Sequence, residues 1–203
     1  MTALFAAWLA HLIAAASPGP AILLAARTGV TQGFVTGLWL SLGLALGAVI
    51  WAMAALFGLA ALFQIAPALF WAFKLAGAAF LIWIAVQMWR RAPTPLDLPD
   101  PALATPQSAA AAFRLGLFAQ LANPKPAVFF GAVFVAAVPP GTALWMVGVL
   151  LVLVFFNELI CTLAVARAFS LRAPRRAYTR FKTHIDRAFG GCLAALGVKL
   201  ATT

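Results

Sequence analysis

The sequence predicts an all-α integral membrane protein, because its composition and its charge pattern both disfavour a soluble fold. Of the 203 residues, 65% are hydrophobic and only 9% are charged. Soluble domains are about 45–50% apolar and about 25% charged. The apolar residues form runs long enough for membrane helices, which need about 20 residues each, and the basic residues lie mostly between these runs. The expected surroundings are therefore lipid.

Six membrane-spanning helices account for the apolar runs. Prolines, glycines and charges place them at residues 4–26, 34–62, 69–89, 113–138, 142–166 and 185–201. The uncharged run 28–73 is too long for one crossing at 1.5 Å per residue, so it is divided between the second and third spans. An arrangement of five spans with a cytoplasmic N-terminus is the alternative, and the charge pattern disfavours it.

The positions of Lys and Arg predict the orientation. Lys74, Lys125 and Lys199 lie inside spans, and the other basic residues lie in or beside the loops after the first, third and fifth spans. Basic loops stay in the cytoplasm, so both termini are predicted on the periplasmic side of a bacterial inner membrane. The net charge of +10 therefore reflects topology and contact with anionic lipid, and no nucleic-acid partner is expected.

A proline-rich stretch, 90–112, divides the chain into two halves of three spans, 1–89 and 113–203. Such a stretch is typical of an extended loop, here a cytoplasmic one within a single membrane domain. Because each half has an odd number of spans, a duplicated unit would give two inverted three-helix repeats, a plan common among secondary transporters. A proline motif in the first helix of each half suggests this repeat. Chance similarity between glycine-rich apolar segments is the alternative.

The first of these motifs is Ser17-Pro18-Gly19-Pro20. Each proline removes an N–H donor and clashes with the preceding turn, so the pair should break the first helix inside the membrane. Unpaired backbone groups cannot face lipid, so the break should line a protein-enclosed or watery cavity. The helix that follows would direct its positive N-terminal end there, which suits a carboxylate. A kink that only aids packing is the alternative.

The second motif is Asn123-Pro124-Lys125-Pro126, which adds a cation to a similar break. A lysine at the centre of a bilayer costs about 2.5–3.5 kcal/mol on insertion scales, and such residues usually face an interior path. Lys125 is therefore a candidate partner for a carboxylate, or a group that changes protonation during transport. The alternative is that Lys125 extends to the cytoplasmic interface.

The fifth span contains the adjacent polar residues Asn157 and Glu158. Glu158 is the only acid in a central span, and such residues usually mark an ion or substrate path. It could carry a coupling proton, bind an ammonium group or form a structural ion pair with Lys125. His11 in the first span is interpreted as a hydrogen-bonded interior histidine.

Other residues are interpreted as packing. Small residues that recur every four positions allow helices to approach closely, and this series comprises Gly29, Gly33, Gly37, Gly43 and Gly47. Cys161 and Cys192 are expected to be buried packing residues. The sequence contains no phosphate-binding loop, catalytic triad or metal-ligand spacing. A transporter without a cofactor or a metal site is therefore predicted, rather than an enzyme.

Taken in order, these motifs resemble the LysE/RhtB family of amino-acid exporters along nearly the whole chain. The segments that carry the resemblance are Ser17-Pro18-Gly19-Pro20, Lys74 to Leu81, Phe113-Arg114-Leu115-Gly116, Asn123-Pro124-Lys125, and Arg187 to Lys199. Pro126, where the family more often has alanine, and the proline-rich loop depart from the pattern. The resemblance implies export of amino acids or close derivatives, with protons as the exchanged ion.

The sequence therefore predicts a secondary exporter whose site lies between the two halves. The broken helices and Lys125 would hold the substrate carboxylate, and Glu158 would bind the ammonium group or the proton. The shortage of acids favours a neutral amino acid, and the sequence leaves a homodimer open. A divalent-metal exporter is the alternative, although Glu158 is almost the only ligand for it. A thiol–disulfide relay would need paired, accessible cysteines.

Overall fold

The computed structural model of the protein describes residues 2–59, 67–95, 107–139 and 141–202. Every regular element in these ranges is helical, which confirms the all-α prediction. The helices are α1 (Thr2–Ala16), α2 (Pro20–Met53), α3 (Pro67–Arg91), α4 (Ala109–Leu121), α5 (Pro124–Ala137), α6 (Leu144–Ser170) and α7 (Arg172–Thr202). Residues 96–106 of the predicted proline-rich loop lie outside the described ranges.

The surface of the helices is consistent with a membrane protein. Within the described residues, Pro20–Gly58 and Leu144–Ser170 are long and apolar enough to cross a bilayer, while α1, α4 and α5 are shorter apolar helices. Large apolar side chains point outward, among them Val35 at 67% exposure and Phe118 at 63%. Apolar surface of this kind is unfavourable in water but suits contact with lipid.

A bend at Gly33 divides α2 where the sequence predicts the first loop. Gly33 has φ 80° and ψ −176°, a conformation that is available to glycine and strained for other residues. A Cβ atom built there would have no neighbour within 4 Å. The prediction that Gly33 serves packing is therefore wrong, because the residue serves the bend.

The other glycines of the series do serve packing. A Cβ on Gly43 would lie 2.0 Å from the Phe113 carbonyl oxygen of α4, and one on Gly29 would lie 2.2 Å from the Ala166 carbonyl oxygen of α6. A Cβ on Gly37 or Gly47 would lie 2.7 Å from a side-chain Cβ atom, that of Ala166 on α6 or of Gln120 on α4. These contacts let α2 lie backbone to backbone against α4 and α6.

The remaining helices complete the core around α5. This helix contains a π-helical segment, Phe129–Phe134, whose side chains are buried and pack against α3. α1 rests on α6, and α3 pairs with α7, where the Trp89 indole N–H donates to the Arg187 carbonyl oxygen at 2.9 Å. Cys161 is partly buried, but Cys192 is exposed on α7. The prediction that both cysteines are buried is therefore wrong for Cys192.

Candidate functional site

The chain leaves the helical conformation at residues 17–19, between α1 and α2. Pro20 occupies the first turn of α2, and Gly19 before it is extended, with φ −173° and ψ −175°. Ser17 is fully buried, and its hydroxyl donates to the Ala14 carbonyl oxygen at 2.8 Å. No side chain in the described ranges caps the start of α2, so its first N–H groups are available to another partner.

A second interruption separates α4 from α5 at residues 122–123. Asn123 has φ −79° and ψ 120°, and its side-chain oxygen accepts a hydrogen bond from the Lys125 backbone N–H at 3.1 Å. Pro124 then occupies the first turn of α5, where its missing N–H costs little. Unlike α2, this helix therefore begins with a side-chain cap.

Lys125 joins the two interruptions. Its Nζ atom donates to the Ser17 carbonyl oxygen at 3.0 Å and also to the Ser17 hydroxyl. Gly19 lies directly beside it, since a Cβ there would be 3.4 Å from Nζ. An ammonium group has three N–H donors, and two of them are used within the described residues. The third remains available for a ligand.

Glu158 lies on α6 in a buried polar cluster with α1. The Oε2 atom of Glu158 is 4.0 Å from His11 Nε2, and Glu158 itself is 4% exposed. Lys125 and Glu158 line the same small chamber. Among the described residues, however, the ion pair within 4.0 Å is Lys182–Asp186, and the neighbour of Glu158 at that distance is His11. Lys125 and Glu158 therefore do not form a direct ion pair here.

Asn157 fixes the orientation of His11. Its Oδ1 accepts from the Trp8 indole N–H at 3.1 Å, and its Nδ2 donates to the Trp8 carbonyl oxygen at 3.3 Å. The amide can therefore only donate to His11 Nδ1, which lies 3.3 Å from Nδ2. A neutral imidazole that accepts at Nδ1 carries its proton on Nε2. That proton faces Glu158.

Two cavities meet at Lys125. The inner chamber contains Glu158 and His11 in its wall and has a volume of about 30 Å³, which is room for about two water molecules. The outer cavity has a volume of about 440 Å³ and reaches Arg91 at the end of α3 and Tyr178 on α7. Small-molecule sites typically measure about 300–1,000 Å³, so a small organic molecule fits the outer cavity only.

The structure brings most of the predicted site residues to these two cavities. The lining residues are Pro18, Gly19, Pro20, Asn123, Pro124, Lys125, Pro126 and Glu158. Asn157 lines neither cavity and contacts His11. Gln120 also lines the inner chamber and Asp186 the outer cavity. Sequence reasoning treated His11 only as an interior residue and did not single out Gln120 or Asp186. Asp186 was detectable as one of four acids in the chain.

Comparison with known proteins identifies the family. A sequence profile described as LysE type translocator matches residues 12–203. The chain belongs to this family. The LysE-type chain is therefore a membrane transport protein and not an enzyme, and the resemblance read from its motifs is confirmed.

Its relatives include efflux proteins of similar length. The threonine efflux protein of Escherichia coli K12 is 30% identical, with 95% of this chain and 94% of the relative covered. The homoserine/homoserine lactone efflux protein of Salmonella typhimurium LT2 is also 30% identical, with 96% of each covered. An uncharacterized membrane protein of Pseudomonas aeruginosa shares 30% identity over 91% of this chain and 88% of its own. No solved structure matches the chain.

Proposed function

We propose that this LysE-type protein is a secondary active exporter of small neutral amino acids or close derivatives, exchanging them for protons across the bacterial inner membrane. The observation that carries the proposal is the contact of Lys125 with Ser17, which joins two interrupted helices beside a cavity large enough for an amino acid. The relatives named for threonine and homoserine efflux support this class of substrate.

The proposed topology has six spans in two inverted halves, 1–89 and 113–203. The first span combines α1 with α2 as far as Gly33, the second is the rest of α2, and α3 is the third. The fourth combines α4 with α5, and α6 and α7 complete the set. Each half then has one interrupted helix that restarts on a proline, after Gly19 or Asn123. The basic loops would be cytoplasmic and both termini periplasmic.

Lys125 and the first turn of α2 would hold the substrate carboxylate. Lys125 has one free N–H donor, and the uncapped N–H groups of α2 carry a positive partial charge. A carboxylate arriving through the outer cavity would compete with Ser17 for Lys125. Binding would thus weaken the direct contact between the two interruptions and couple substrate to movement of the helices.

Glu158 would carry the exchanged proton. The inner chamber admits water but not an amino acid, so an ammonium group is less suited to reach Glu158 in this conformation. A charged Glu158 attracts Lys125, whereas a protonated one does not. For exchange, Glu158 would take up the proton after the substrate has left Lys125 on the periplasmic side and would release it before the next substrate binds on the cytoplasmic side. His11, with its N–H directed at Glu158, would help to place the proton.

The alternative of a divalent-metal exporter gains no support from the described residues. No three His, Cys, Asp or Glu side chains come together in those ranges. The two charged neighbours of the inner chamber are a lysine and a single glutamate, a poor donor set for a divalent ion. The proposed path lies within one chain, and a homodimer would contain two such paths.

Efflux from proteoliposomes tests the proposal. Liposomes with the purified protein are loaded with an equimolar mixture of the common amino acids and homoserine, and efflux is followed by mass spectrometry with and without an inward proton gradient. We expect selective, gradient-stimulated loss of one or two small neutral amino acids. If folded, correctly oriented protein releases none faster than protein-free liposomes, amino-acid export is wrong.

A further inference from the structure

The outer cavity contains a carboxylate that the proposed cycle does not use. Asp186 on α7 lines this cavity and is only 6% exposed. Its Oδ2 atom accepts a hydrogen bond from Lys182 Nζ at 2.6 Å. Its Oδ1 atom is buried and has no hydrogen-bond partner among the described residues. Buried carboxylate oxygens normally have donors, so a ligand donor is a natural partner.

Lys182 cannot supply that donor. Its Nζ atom also donates to the carbonyl oxygens of Arg91, at 3.1 Å, and Ala92, at 3.3 Å. With Asp186 Oδ2, these acceptors use all three N–H groups of the ammonium. The Thr183 hydroxyl donates to the Ala92 carbonyl oxygen at 3.1 Å and fixes the same helix turn. The cation is therefore bound to the end of α3 and holds Asp186 in place.

The rest of the cavity suits a zwitterion. Lys125, with one N–H donor left over, and Asp186, with an oxygen that has no donor among the described residues, both line this cavity. Trp83 and Phe80 add apolar surface to the lining. A ligand with only a positive charge would be repelled by Lys125 and one with only a negative charge by Asp186, whereas a zwitterion has an oppositely charged partner for each of its groups.

We propose that Asp186 Oδ1 is an outer subsite that receives the ammonium group of an amino acid on its way from the cytoplasm to Lys125. This inference rests on the proposed export function and names a second point of contact for the same substrate. Lys182 is a positioning residue for this subsite, since it orients the carboxylate without facing the substrate.

The test removes the ammonium group from the substrate and the carboxylate from the protein in turn. The probes are L-threonine and the amino acid exported fastest from the mixture, each beside its 2-hydroxy analogue, which lacks the ammonium group. Half-saturating concentrations for efflux are measured in proteoliposomes for the wild type, Asp186→Asn and Asp186→Glu. Thr183→Val is the matched control, since it removes a hydrogen bond of the same turn and leaves the carboxylate.

In the wild type, we expect the half-saturating concentration of the amino acid to be at least about tenfold lower than that of its analogue. Asp186→Asn should raise the half-saturating concentration of the amino acid about tenfold and leave that of the analogue within about twofold. Asp186→Glu should recover part of the preference, and Thr183→Val should behave like the wild type.

Equal effects of Asp186→Asn on amino acid and analogue would show a structural role and overturn the subsite. If Asp186→Asn does not fold, the wild-type measurement still tests the subsite. Equal half-saturating concentrations for the amino acid and its analogue in the wild type would also overturn the subsite. Either result leaves amino-acid export standing. A wild type that exports no amino acid would overturn the proposed function and the subsite together.

Discussion

The two helix interruptions share their prolines but differ in what the other residues provide. At the first, Gly19 precedes α2 without a side-chain cap, and Ser17 offers two oxygen acceptors. At the second, Asn123 caps the new helix and Lys125 offers the donor. At the first interruption, the N–H groups at the start of α2 therefore have no side-chain acceptor among the described residues. At the second, the Asn123 side chain already accepts a hydrogen bond from the start of α5.

This difference shows how similar backbone breaks can acquire complementary chemistry. In both places the helix that follows begins with a proline in its first turn, Pro20 or Pro124, where the missing N–H costs little. The residues beside the prolines then decide whether the break accepts or donates hydrogen bonds, since Ser17 provides acceptors at the first and Lys125 the donor at the second. Lys125 donates to Ser17 across the two interruptions, and we propose that the substrate carboxylate competes with Ser17 for this donor.

Substitution of Lys125 should have the largest effect. Lys125→Met removes the proposed carboxylate partner and the link to Ser17, so efflux should fall about 100-fold. Initial efflux rates in proteoliposomes provide the measurement. Lys199→Met on α7, outside both cavities, is the control and should stay near the wild type. Efflux within about threefold of wild type in Lys125→Met would contradict the site.

Glu158→Gln should remove proton coupling while retaining substrate exchange. With one proton per substrate, a gradient of one pH unit supports about tenfold accumulation in the wild type, and the variant should show none. Accumulation and counterflow are compared at matched expression. Thr162→Val is the control, because its hydroxyl bonds the Glu158 backbone oxygen and leaves the carboxylate unchanged. If Glu158→Gln still accumulates substrate when a proton gradient is applied, a residue other than Glu158 carries the exchanged proton.

Ser17→Ala should tighten substrate binding. The variant removes one acceptor that competes with the substrate for Lys125, so the half-saturating concentration should fall about three- to tenfold. Ser170→Ala is a matched control, since Ser170 also donates to the carbonyl oxygen three residues earlier. If both variants behave alike, Ser17 has only a helix-end role and the proposed competition is wrong.

Asn123→Ala should act mainly on stability. Loss of the cap on α5 should cost about 0.5–2 kcal/mol in the free energy of unfolding. Asn123→Asp keeps a capping oxygen and should retain most of the stability. Thermal unfolding in detergent distinguishes the two variants. An unchanged melting temperature in Asn123→Ala would show that this cap is dispensable and that the two interruptions are more alike than their contacts suggest.

Gly19→Ala should have the smallest effect. The extended backbone at Gly19 is open to any residue, and the added Cβ would be 3.4 Å from Lys125 Nζ. Efflux should therefore stay within about threefold of wild type. Gly33→Ala provides the contrast, since its φ of 80° should cost about 1 kcal/mol or more in stability. Loss of efflux in a folded Gly19→Ala protein would contradict this prediction and would show that a methyl group beside Lys125 Nζ is enough to block transport.

Local signals made much of the site predictable. Two prolines around a glycine, and a lysine within an apolar run, each violate the pattern of an ordinary membrane helix. The sequence therefore identified Gly19, Asn123 and Lys125, and the structure brings them together. Their use as a substrate site stays a prediction.

The rest depended on packing between distant segments. His11 meets Asn157 and Glu158 only because α1 rests on α6, and Asp186 lines the outer cavity only because α7 packs on α3. Gly33 was misread for another reason. A spacing of four residues suggests packing, whereas a positive φ leaves no mark on the spacing.

Recognition of the carboxylate by Lys125 is the central claim, and a substrate analogue tests it most directly. The half-saturating concentration for efflux is measured for the preferred amino acid and for its amide, which lacks the carboxylate charge, in the wild type and in Lys125→Gln. We predict at least about a tenfold preference for the acid in the wild type and none in the variant. An equal preference in both proteins would contradict the account.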